Sequence, residues 1–332
     1  MNVLLTGATG LIGKPLMAAL LKRGWAVDAL VRSPHSAEAQ EVAAMGARLV
    51  PGDVTSAESV RAAVNGKQIV INNAGWYALG IGGRQAEATM QAINVDGARI
   101  VMKEALAAGA QRVVHVSSIV AWGDSGSAIQ DESYVRQSPP PTVYERTKLE
   151  AHELAVGMQT AGAPVIIAAP ASAHGAGDHA SVGSLLRLYV RGLFPALGMY
   201  GDGGRSLVYV DDCAEGIALC AEKGRLGESY MISAGPASYR EVFDWMAERP
   251  GGVRPLFYIP DLMAGIFCRA AEPVERLLGL PIVFSADMAR SATTRYYYSG
   301  AKSERELGLK YRPPRQVILD TVDGERRRMG KV

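Results

Sequence analysis

The chain has 332 residues, of which 48% are hydrophobic and 20% charged, a composition typical of a globular protein rather than a disordered one. Its 35 Lys and Arg residues nearly balance its 33 Asp and Glu residues, so no strong field of one sign favours nucleic acid as a partner. The three cysteines form no Cys-x-x-Cys pair. This argues against a disulfide framework and a zinc site, and we expect no metal.

Targeting and membrane segments are not evident. A Gly-rich turn begins at Thr6, where a signal peptide would need a long apolar run. No apolar run reaches the ~18 residues that cross a bilayer, and charged residues interrupt the nearest candidate, residues 259–280. We therefore expect a cytoplasmic protein with no membrane partner.

The first half of the chain alternates short β-branched runs with helical patterns. Leu11, Ile12, Leu16 and Leu20 recur at helical spacing, residues 38–45 form a second helical pattern, and Thr55 with Glu58 resembles a capping box. The predicted strands are residues 3–5, 27–31, 48–50, 69–71, 113–116 and 165–168. Strands separated by helices predict an α/β fold, a Rossmann-type doubly wound parallel sheet with helices on both faces.

Beyond residue 170 the alternation becomes less regular. Two extended runs, residues 207–210 and 230–232, accompany a helix that begins near Asp211 and another that Ser238 and Glu241 open as a capping box. We predict a dinucleotide-binding domain over residues 1–170. Residues 171–332 are expected to form mainly a smaller, C-terminal substrate-binding lobe, with segments near 205–235 returning to the sheet.

A Gly-rich loop follows the first strand. In such a loop the first glycine, Gly7, makes the tight turn, Gly10 lets the backbone approach a pyrophosphate, and Gly13 lets the helix pack on the strand. The helix N-terminus adds amide donors and a partial positive charge. We expect nucleotide contacts from Gly7, Thr9, Gly10, Leu11, Ile12 and Gly13.

The end of the second strand selects the cofactor. An acidic residue there favours NAD, whereas an arginine accommodates the 2′-phosphate of NADP. Here Arg32 stands at the tip, and Asp28 lies too early in the strand. The alternative is that Arg32 is only a solvated surface charge. We predict NADP as cofactor, with NAD as the alternative.

Three side chains form a candidate catalytic group. Tyr144 and Lys148 are four residues apart on a predicted helix and so share one face. Ser117 and Ser118 follow the strand at residues 113–116, at the sheet edge where doubly wound folds bind ligands. Hydride transfer to a carbonyl leaves an alkoxide, which a tyrosine can protonate. The lysine would lower the tyrosine pKa and hold the nicotinamide ribose, and a serine hydroxyl would position the substrate oxygen.

Together these motifs resemble the extended or atypical short-chain dehydrogenase/reductase superfamily, of the NAD-dependent epimerase/dehydratase type. The matching segments are residues 6–13, 94–97, 116–118, 144–148 and 210–212. The resemblance points to Ser118 rather than Ser117 as the catalytic hydroxyl, because Gly123 follows five residues later. It also implies Asn94 as a fourth member of the catalytic set, although a structural role is equally compatible.

Further cofactor contacts follow from the resemblance. Asp53 and Val54 match the adenine-contacting pair, although Asp53 could equally cap the next helix. Asn73, Ala74 and Gly75 end the fourth strand where the backbone of this family passes the cofactor, and Pro170 ends a later strand.

The resemblance leaves the reaction open. One subgroup, similar to dihydroflavonol reductase and 3β-hydroxysteroid dehydrogenase, transfers hydride to a carbonyl or from a secondary alcohol, often with NADP. The other contains nucleotide-sugar epimerases and dehydratases, which use NAD, and Arg205 keeps this alternative open. A third possibility is a redox-sensing protein without turnover, but such relatives tend to lose the tyrosine or the lysine.

The expected substrate is a small, hydrophobic carbonyl or alcohol compound, because the candidate wall residues are mostly apolar. That wall comprises Trp76, Tyr77, Trp122 and His174, with Leu193 and Phe194 as further candidates. Residues 296–298, three consecutive tyrosines, are an additional segment that could reach this lobe. The helices near residues 100 and 150 form a dimer face in many proteins of this superfamily, so a homodimer is possible.

Overall fold

The computed structural model describes residues 1–77, 84–178, 187–192, 197–278 and 284–331. Its strands are β1 (Asn2–Thr6), β2 (Ala26–Val31), β3 (Arg48–Pro51), β4 (Ile69–Asn72), β5 (Arg112–Val116), β6 (Val165–Pro170), β7 (Ser172–His174), β8 (Leu197–Met199), β9 (Gly204–Tyr209), β10 (Ser229–Ile232), β11 (Gly235–Ser238) and β12 (Phe257–Ile259). Each of the six strands expected before residue 170 is present, so the fold prediction is confirmed.

A seven-stranded sheet with the order β3-β2-β1-β4-β5-β6-β10 forms the centre of the molecule. Its neighbouring strands are all parallel. The strand order reverses between β1 and β4, and ligands of doubly wound folds bind at such a switch point, beyond the carboxyl ends of the strands.

Helices flank this sheet. They are α1 (Gly13–Lys22), α2 (Ala37–Ala44), α3 (Ala57–Val64), α4 (Arg84–Met90), α5 (Ala98–Ala107), α6 (Val143–Thr160), α7 (Val210–Lys223), α8 (Tyr239–Met246), α9 (Asp261–Leu277), α10 (Ala286–Thr293), α11 (Ala301–Leu307) and α12 (Pro314–Arg328). One π-helical segment, Gln91–Gly97, joins α4 to α5. Helix α1 packs against α7, whereas α5 packs against α3 and α6. Within the described ranges, no helix is long and apolar enough to span a bilayer.

The core sits in the sheet and the helix faces that cover it. Val3, Leu4 and Leu5 of β1 are fully buried, as are Val113 and Val114 of β5. Strands of a parallel sheet that are buried on both faces require such continuous apolar runs. The same runs made these strands recognisable in the sequence.

The later strands divide between the main sheet and two smaller sheets. Of the two extended runs near residues 205–235, residues 230–232 lie in β10 at the edge of the main sheet, beside β6. Residues 207–209 lie in β9, which pairs with β7 and β11 in a separate three-stranded sheet. Strands β8 and β12 form a further parallel pair.

Helix caps follow the sequence with one correction. Ser238 and Glu241 form the expected capping box of α8. Helix α3, however, is capped by Ser56, whose side chain accepts a hydrogen bond from the Ser59 amide, so the Thr55–Glu58 box is wrong. Thr55 instead donates both its amide and its hydroxyl to Asp53 Oδ1, each at 2.8 Å.

Candidate active site

Two glycines of the Gly-rich loop, Gly7 and Gly13, have no space for a side chain. Gly7 has a φ of +67°, and a Cβ there would lie 2.8 Å from the Asn73 carbonyl oxygen. A Cβ on Gly13 would lie 2.1 Å from the Gly7 carbonyl oxygen, so α1 packs on this loop only without a side chain. At Gly10 the nearest atom would be 3.5 Å away, an ordinary contact. Gly10 therefore leaves its backbone accessible from the cleft, as the close approach of a pyrophosphate requires.

Thr6 ties this loop to the end of β4. Its hydroxyl donates to Asn72 Oδ1 at 3.2 Å and accepts from the amides of Asn73 and Ala74 at 3.1 and 2.9 Å. The Asn73 side chain donates to the Gly7 carbonyl at 3.2 Å. These bonds bring the ends of β1 and β4 together and explain how the segment after β4 comes to face the Gly-rich loop.

A cleft of about 750 Å³ runs along the carboxyl ends of the strands. This volume suits a ligand of cofactor or drug size. Every residue that we expected to contact the nucleotide lines it, from Gly7 and Thr9 on the loop to Pro170 at the end of β6. The chain thus provides a cradle of glycine backbone, a helix N-terminus and an elongated groove, which fits a dinucleotide.

The two charged groups on β2 have different environments. Asp28 is buried and forms ion pairs with Arg48 and Lys67, so its carboxylate has a structural role within the sheet. Arg32 is exposed at the strand tip, lines the cleft beside Ser33 and Ser36, and makes no ion pair with any described residue. The charged side chain that faces the cleft at the end of β2 is therefore a cation, Arg32, and not a carboxylate.

Ser118, Tyr144 and Lys148 converge on the middle of the cleft. Ser118 follows β5 and caps the 3₁₀ turn Ile119–Ala121, and its hydroxyl lies close enough to Tyr144 to affect the pKa of that phenol. Thr142 caps α6 by accepting from the Glu145 amide, and the first turns of this helix then present Tyr144 and Lys148. Ser117 is buried, with its hydroxyl 3.3 Å from His152 Nδ1.

Burial controls the protonation of these groups. It raises the pKa of Tyr144, as do the neighbouring Tyr77 and Glu145, while Ser118 and Arg205 act in the opposite direction. Burial also lowers the pKa of Lys148 to about 8. The Lys148 ammonium donates to the Val116 carbonyl at 3.1 Å.

Asn94 holds the wall of the cleft. Its Oδ1 accepts from the Trp76 amide at 2.7 Å, and its Nδ2 donates to the Trp76 carbonyl at 3.0 Å and to Thr147 Oγ1 at 3.1 Å. Both ends of the amide are therefore engaged with the protein. Asn94 thus fixes the segment after β4 against α6, which is the structural role that the sequence left open beside a catalytic one.

Two of the four predicted substrate-wall residues line the cleft, namely Trp76 and Tyr77. Trp122 does not. A short 3₁₀ turn, Ile119–Ala121, directs its ring onto His152, with ring centroids 4.2 Å apart, and its Nε1 donates to the Glu132 carbonyl.

His174 also lies outside the lining of the cleft. It is buried in β7, opposite Tyr209 in the three-stranded sheet, and burial lowers its pKa to about 4. It is therefore a neutral residue of the second lobe rather than a wall residue. Leu193 and Phe194 lie outside the described residues.

The substrate end of the cleft also contains Arg205 and Tyr296. From the sequence, Arg205 was a candidate only through its resemblance to an arginine of sugar-binding enzymes, and Tyr296 only as one of three consecutive tyrosines. These two residues are about 90 positions apart in the chain, and an isolated β-bridge between the backbones of Tyr296 and Arg205 of β9 brings them together. Local sequence carries no signal for such a contact.

The chain belongs to the NAD-dependent epimerase/dehydratase family. The family model matches residues 3–233, which include the Gly-rich loop and the tyrosine and lysine of α6. The resemblance inferred from the motifs is therefore confirmed, and the chain is an NAD(P)-dependent oxidoreductase of this extended superfamily.

Individual relatives match over nearly the whole chain. Sterol demethylase protein B of Methylococcus capsulatus is 31% identical, with 97% of each chain covered. The 4-hydroxy-2-methyl-3-oxo-4-farnesyl-3,4-dihydroquinoline-1-oxide ketoreductase of Stigmatella aurantiaca is 30% identical, with 97% of this chain and 96% of that protein covered. The crystal structure of gox2253 is 26% identical with a TM-score of 0.82 and covers 100% of this chain and 99% of that one.

Proposed function

We propose that the protein is an NADP-dependent carbonyl reductase. It would transfer hydride between the nicotinamide and a carbonyl or secondary alcohol of a small, largely hydrophobic substrate. The observation that carries this proposal is the meeting of Ser118, Tyr144 and Lys148 on one cleft. Residues 1–170 would hold the cofactor, and residues 171–332 would mainly complete the substrate side.

The choice of NADP rests on Arg32. An exposed guanidinium with no ion-pair partner among the described residues matches the geometry and charge of a 2′-phosphate. The one carboxylate on β2, that of Asp28, is held by Arg48 and Lys67 and does not reach a ribose. Gly7, Gly10 and the N-terminus of α1 would hold the pyrophosphate.

The side chains then have separate tasks. When bound, the nicotinamide nucleotide supplies or accepts the hydride. Ser118 would donate a hydrogen bond to the substrate oxygen, and Tyr144 would give that oxygen its proton. A phenol whose pKa is raised by burial is protonated at neutral pH, which suits a proton donor in the direction of reduction. Lys148 would hold the ribose and favour the phenolate once the proton has left.

The substrate class follows from the walls. Trp76 and Tyr77 line the substrate end of the cleft, and aromatic walls with a few polar groups suit hydrophobic or aromatic ligands. A relative named as a ketoreductase, 30% identical over nearly the full chain, supports reduction of a ketone.

The first experiment is a fluorescence titration of the purified protein with NADPH and with NADH. We expect NADPH to bind at least about tenfold more tightly, a difference of about 1.4 kcal/mol. A screen of hydrophobic ketones and aldehydes should then reveal consumption of NADPH. Tighter binding of NADH, or NAD retained through purification, would contradict the proposal.

A second candidate is a nucleotide-sugar epimerase or dehydratase that uses NAD. It is favoured by one observation, the position of Arg205 in the cleft, where a guanidinium would meet a sugar diphosphate. Binding of a nucleoside diphosphate sugar, with inversion of a hydroxyl-bearing carbon or loss of water from the sugar, would distinguish this function from carbonyl reduction.

A further inference from the structure

Arg205 joins three parts of the second lobe. It extends from β9, and its Nε donates to the Tyr239 hydroxyl at 2.9 Å. Its Nη2 donates to the carbonyl and the hydroxyl of Ser291 on α10, both at 3.2 Å. The guanidinium also lies 5.7 and 5.6 Å from the ring centroids of Tyr239 and Tyr296. It is therefore fixed in one orientation by α8, α10 and the segment around residue 296.

One edge of this guanidinium is left for a ligand. Nη1 makes no hydrogen bond to any described residue, and no described carboxylate lies within ion-pair distance of Arg205. The residue is largely buried and lines the cleft. Charged groups inside proteins are normally paired with a group of opposite charge. A guanidinium that is fixed in a ligand cleft and has a free N–H group is therefore suited to bind an anionic ligand.

Glu145 does not supply that anion. Its carboxyl is 1% exposed and lies behind the cleft lining, where Arg136 at 4.0 Å is its ion-pair partner. Burial raises the pKa of Glu145, although Tyr296, Arg136 and Arg205 act in the opposite direction. The carboxyl makes no hydrogen bond or ion pair with Arg205 among the described residues.

We propose that Arg205 binds a carboxylate of the substrate, so that the preferred substrates are hydrophobic oxo acids. This inference rests on the proposed carbonyl reductase function and names its substrate class. Arg205 is close enough to the reacting centre to act on the Tyr144 phenol. It also acts on the phenol of Tyr77, whose ring packs against that of Tyr144. A carboxylate on Arg205 therefore places the carbonyl of a short oxo acid near Tyr144 and Ser118.

The surroundings favour one carboxylate over a diphosphate. A carboxylate matches a single guanidinium edge and is neutralised by it. A diphosphate carries at least two charges and four or more exposed oxygens, which call for several donors. Besides Arg205, the described lining of the cleft contains the aromatic residues Trp76, Tyr77 and Tyr296. It also contains the acidic residue Asp178, whose charge repels a diphosphate more strongly than a single carboxylate.

The test compares acids with their neutral esters in the NADPH-loaded protein. The probes are phenylglyoxylate, benzoylacetate and benzoylpropionate, each against its methyl ester, which also varies the distance between carbonyl and carboxylate. For the best spacing we expect kcat/KM of the acid to exceed that of the ester by about 10- to 100-fold, the usual effect of a charged hydrogen bond. Arg205→Met should abolish this preference by lowering kcat/KM of the acid to that of the ester, while Arg205→Lys should retain part of the preference.

The matched control is Arg240→Met. Arg240 also stacks on a tyrosine, 4.0 Å from the centroid of Tyr258, but it lies outside the cleft lining, so its loss should leave the acid preference intact. Calorimetric binding of phenylacetate, which cannot be reduced, provides a readout without turnover. We expect binding to the NADPH complex that disappears in Arg205→Met.

The outcomes separate this inference from the proposed function. If no ketone, acid or ester consumes NADPH, the reductase function is wrong, and the phenylacetate titration still tests the anion site. Equal turnover of acids and esters, or equal loss of both in Arg205→Met, would overturn the carboxylate site. Binding of UDP that depends on Arg205, with no effect of the variant on oxo acids, would identify a diphosphate instead.

Discussion

The rings of Tyr77 and Tyr144 meet edge to face, with centroids 4.7 Å apart and planes at 89°. Burial raises the pKa of both phenols, that of Tyr77 to about 12. Two protonated phenols thus lie side by side in the cleft, but only Tyr144 is accompanied by Ser118 and carried on the helix that presents Lys148. The contact gives Tyr77 a packing role and leaves proton donation to Tyr144.

The first prediction separates these two tyrosines. Tyr144→Phe should reduce kcat by about 10³-fold or more, because it removes the proton donor, while NADPH binding remains within a few-fold of the native value. Tyr77→Phe retains the edge-to-face contact and should keep most of the activity. Stopped-flow measurement of NADPH oxidation in both variants, beside fluorescence titration of the cofactor, checks this. Full activity in Tyr144→Phe would refute the proposed proton donor.

The second prediction concerns the selection of the cofactor by Arg32. Arg32→Ala should weaken NADPH binding by about 10- to 100-fold and NADH binding by less than about threefold, because only NADPH carries the phosphate that the guanidinium reads. Arg61→Ala is a suitable control, since Arg61 is also exposed and lies on α3, where it pairs with Glu104. Equal losses for the two nucleotides would show that Arg32 does not contact the phosphate.

The sequence predicted well those features that depend on neighbours in the chain. Buried parallel strands need continuous apolar runs, so residues 3–5 and 113–116 were recognisable. The Gly-rich loop was recognisable because its three glycines all lie within the short segment from Thr6 to Gly13. Helix caps are less certain. Ser56 and Thr55 both offer an oxygen to the first turn of α3, and only the path of the chain after β3 selects Ser56.

The substrate wall could not be predicted to the same degree. Trp122 lies soon after β5, as a wall residue would, but the 3₁₀ turn Ile119–Ala121 between them directs its ring onto His152 of α6. The placement of His174 depends on the pairing of β7 with β9, more than 30 residues later in the chain. Tyr296 reaches the cleft through a bridge to Arg205. These positions are set by tertiary contacts that no local pattern encodes.

The third prediction uses the two glycines of the nucleotide loop as a matched pair. Gly13→Ala places a methyl group 2.1 Å from a backbone oxygen, so we expect it to lower the free energy of unfolding by several kcal/mol, on the scale of other overpacked sites. Gly10→Ala meets only a 3.5 Å contact and should fold normally, yet weaken NADPH binding by at least about tenfold. Thermal unfolding and cofactor titration distinguish the two. A stable Gly13→Ala variant would contradict the close packing of α1 on the loop.

The fourth prediction concerns Asn94 as a positioning residue. Asn94→Ala leaves the Trp76 amide and carbonyl without their partner and should cost about 1–3 kcal/mol of stability. It should also raise KM, because the wall after β4 is no longer fixed. Asn94→Asp keeps an acceptor for the Trp76 amide and should recover part of the loss. The pH dependence of kcat should be unchanged in both variants, whereas an altered profile would indicate a direct role in proton transfer.

The last prediction concerns Lys148, whose buried ammonium is needed for the proposed catalytic role but lowers the free energy of unfolding. Burial lowers its pKa from 10.5 to about 8, so below pH 8 the fold carries a buried ammonium whose main partner is the Val116 carbonyl. The folded chain binds this proton less well than the unfolded one, and the free energy of unfolding should therefore rise between about pH 8 and 10.5. The cost below that window is on the order of 3 kcal/mol.

Replacing Lys148 with methionine should remove this cost along with the catalytic group. At pH 7 we expect Lys148→Met to raise Tm by a few degrees, to flatten the rise in stability at alkaline pH, and to reduce kcat/KM by about 10²-fold or more. Lys14→Met is the control, because Lys14 is partly exposed and pairs with Glu41 on the surface. Calorimetric unfolding of the three proteins across pH 6–11 decides the point. A lower Tm in Lys148→Met would contradict this prediction. It would mean that the hydrogen bond to the Val116 carbonyl stabilises the fold by more free energy than the desolvation of the ammonium costs.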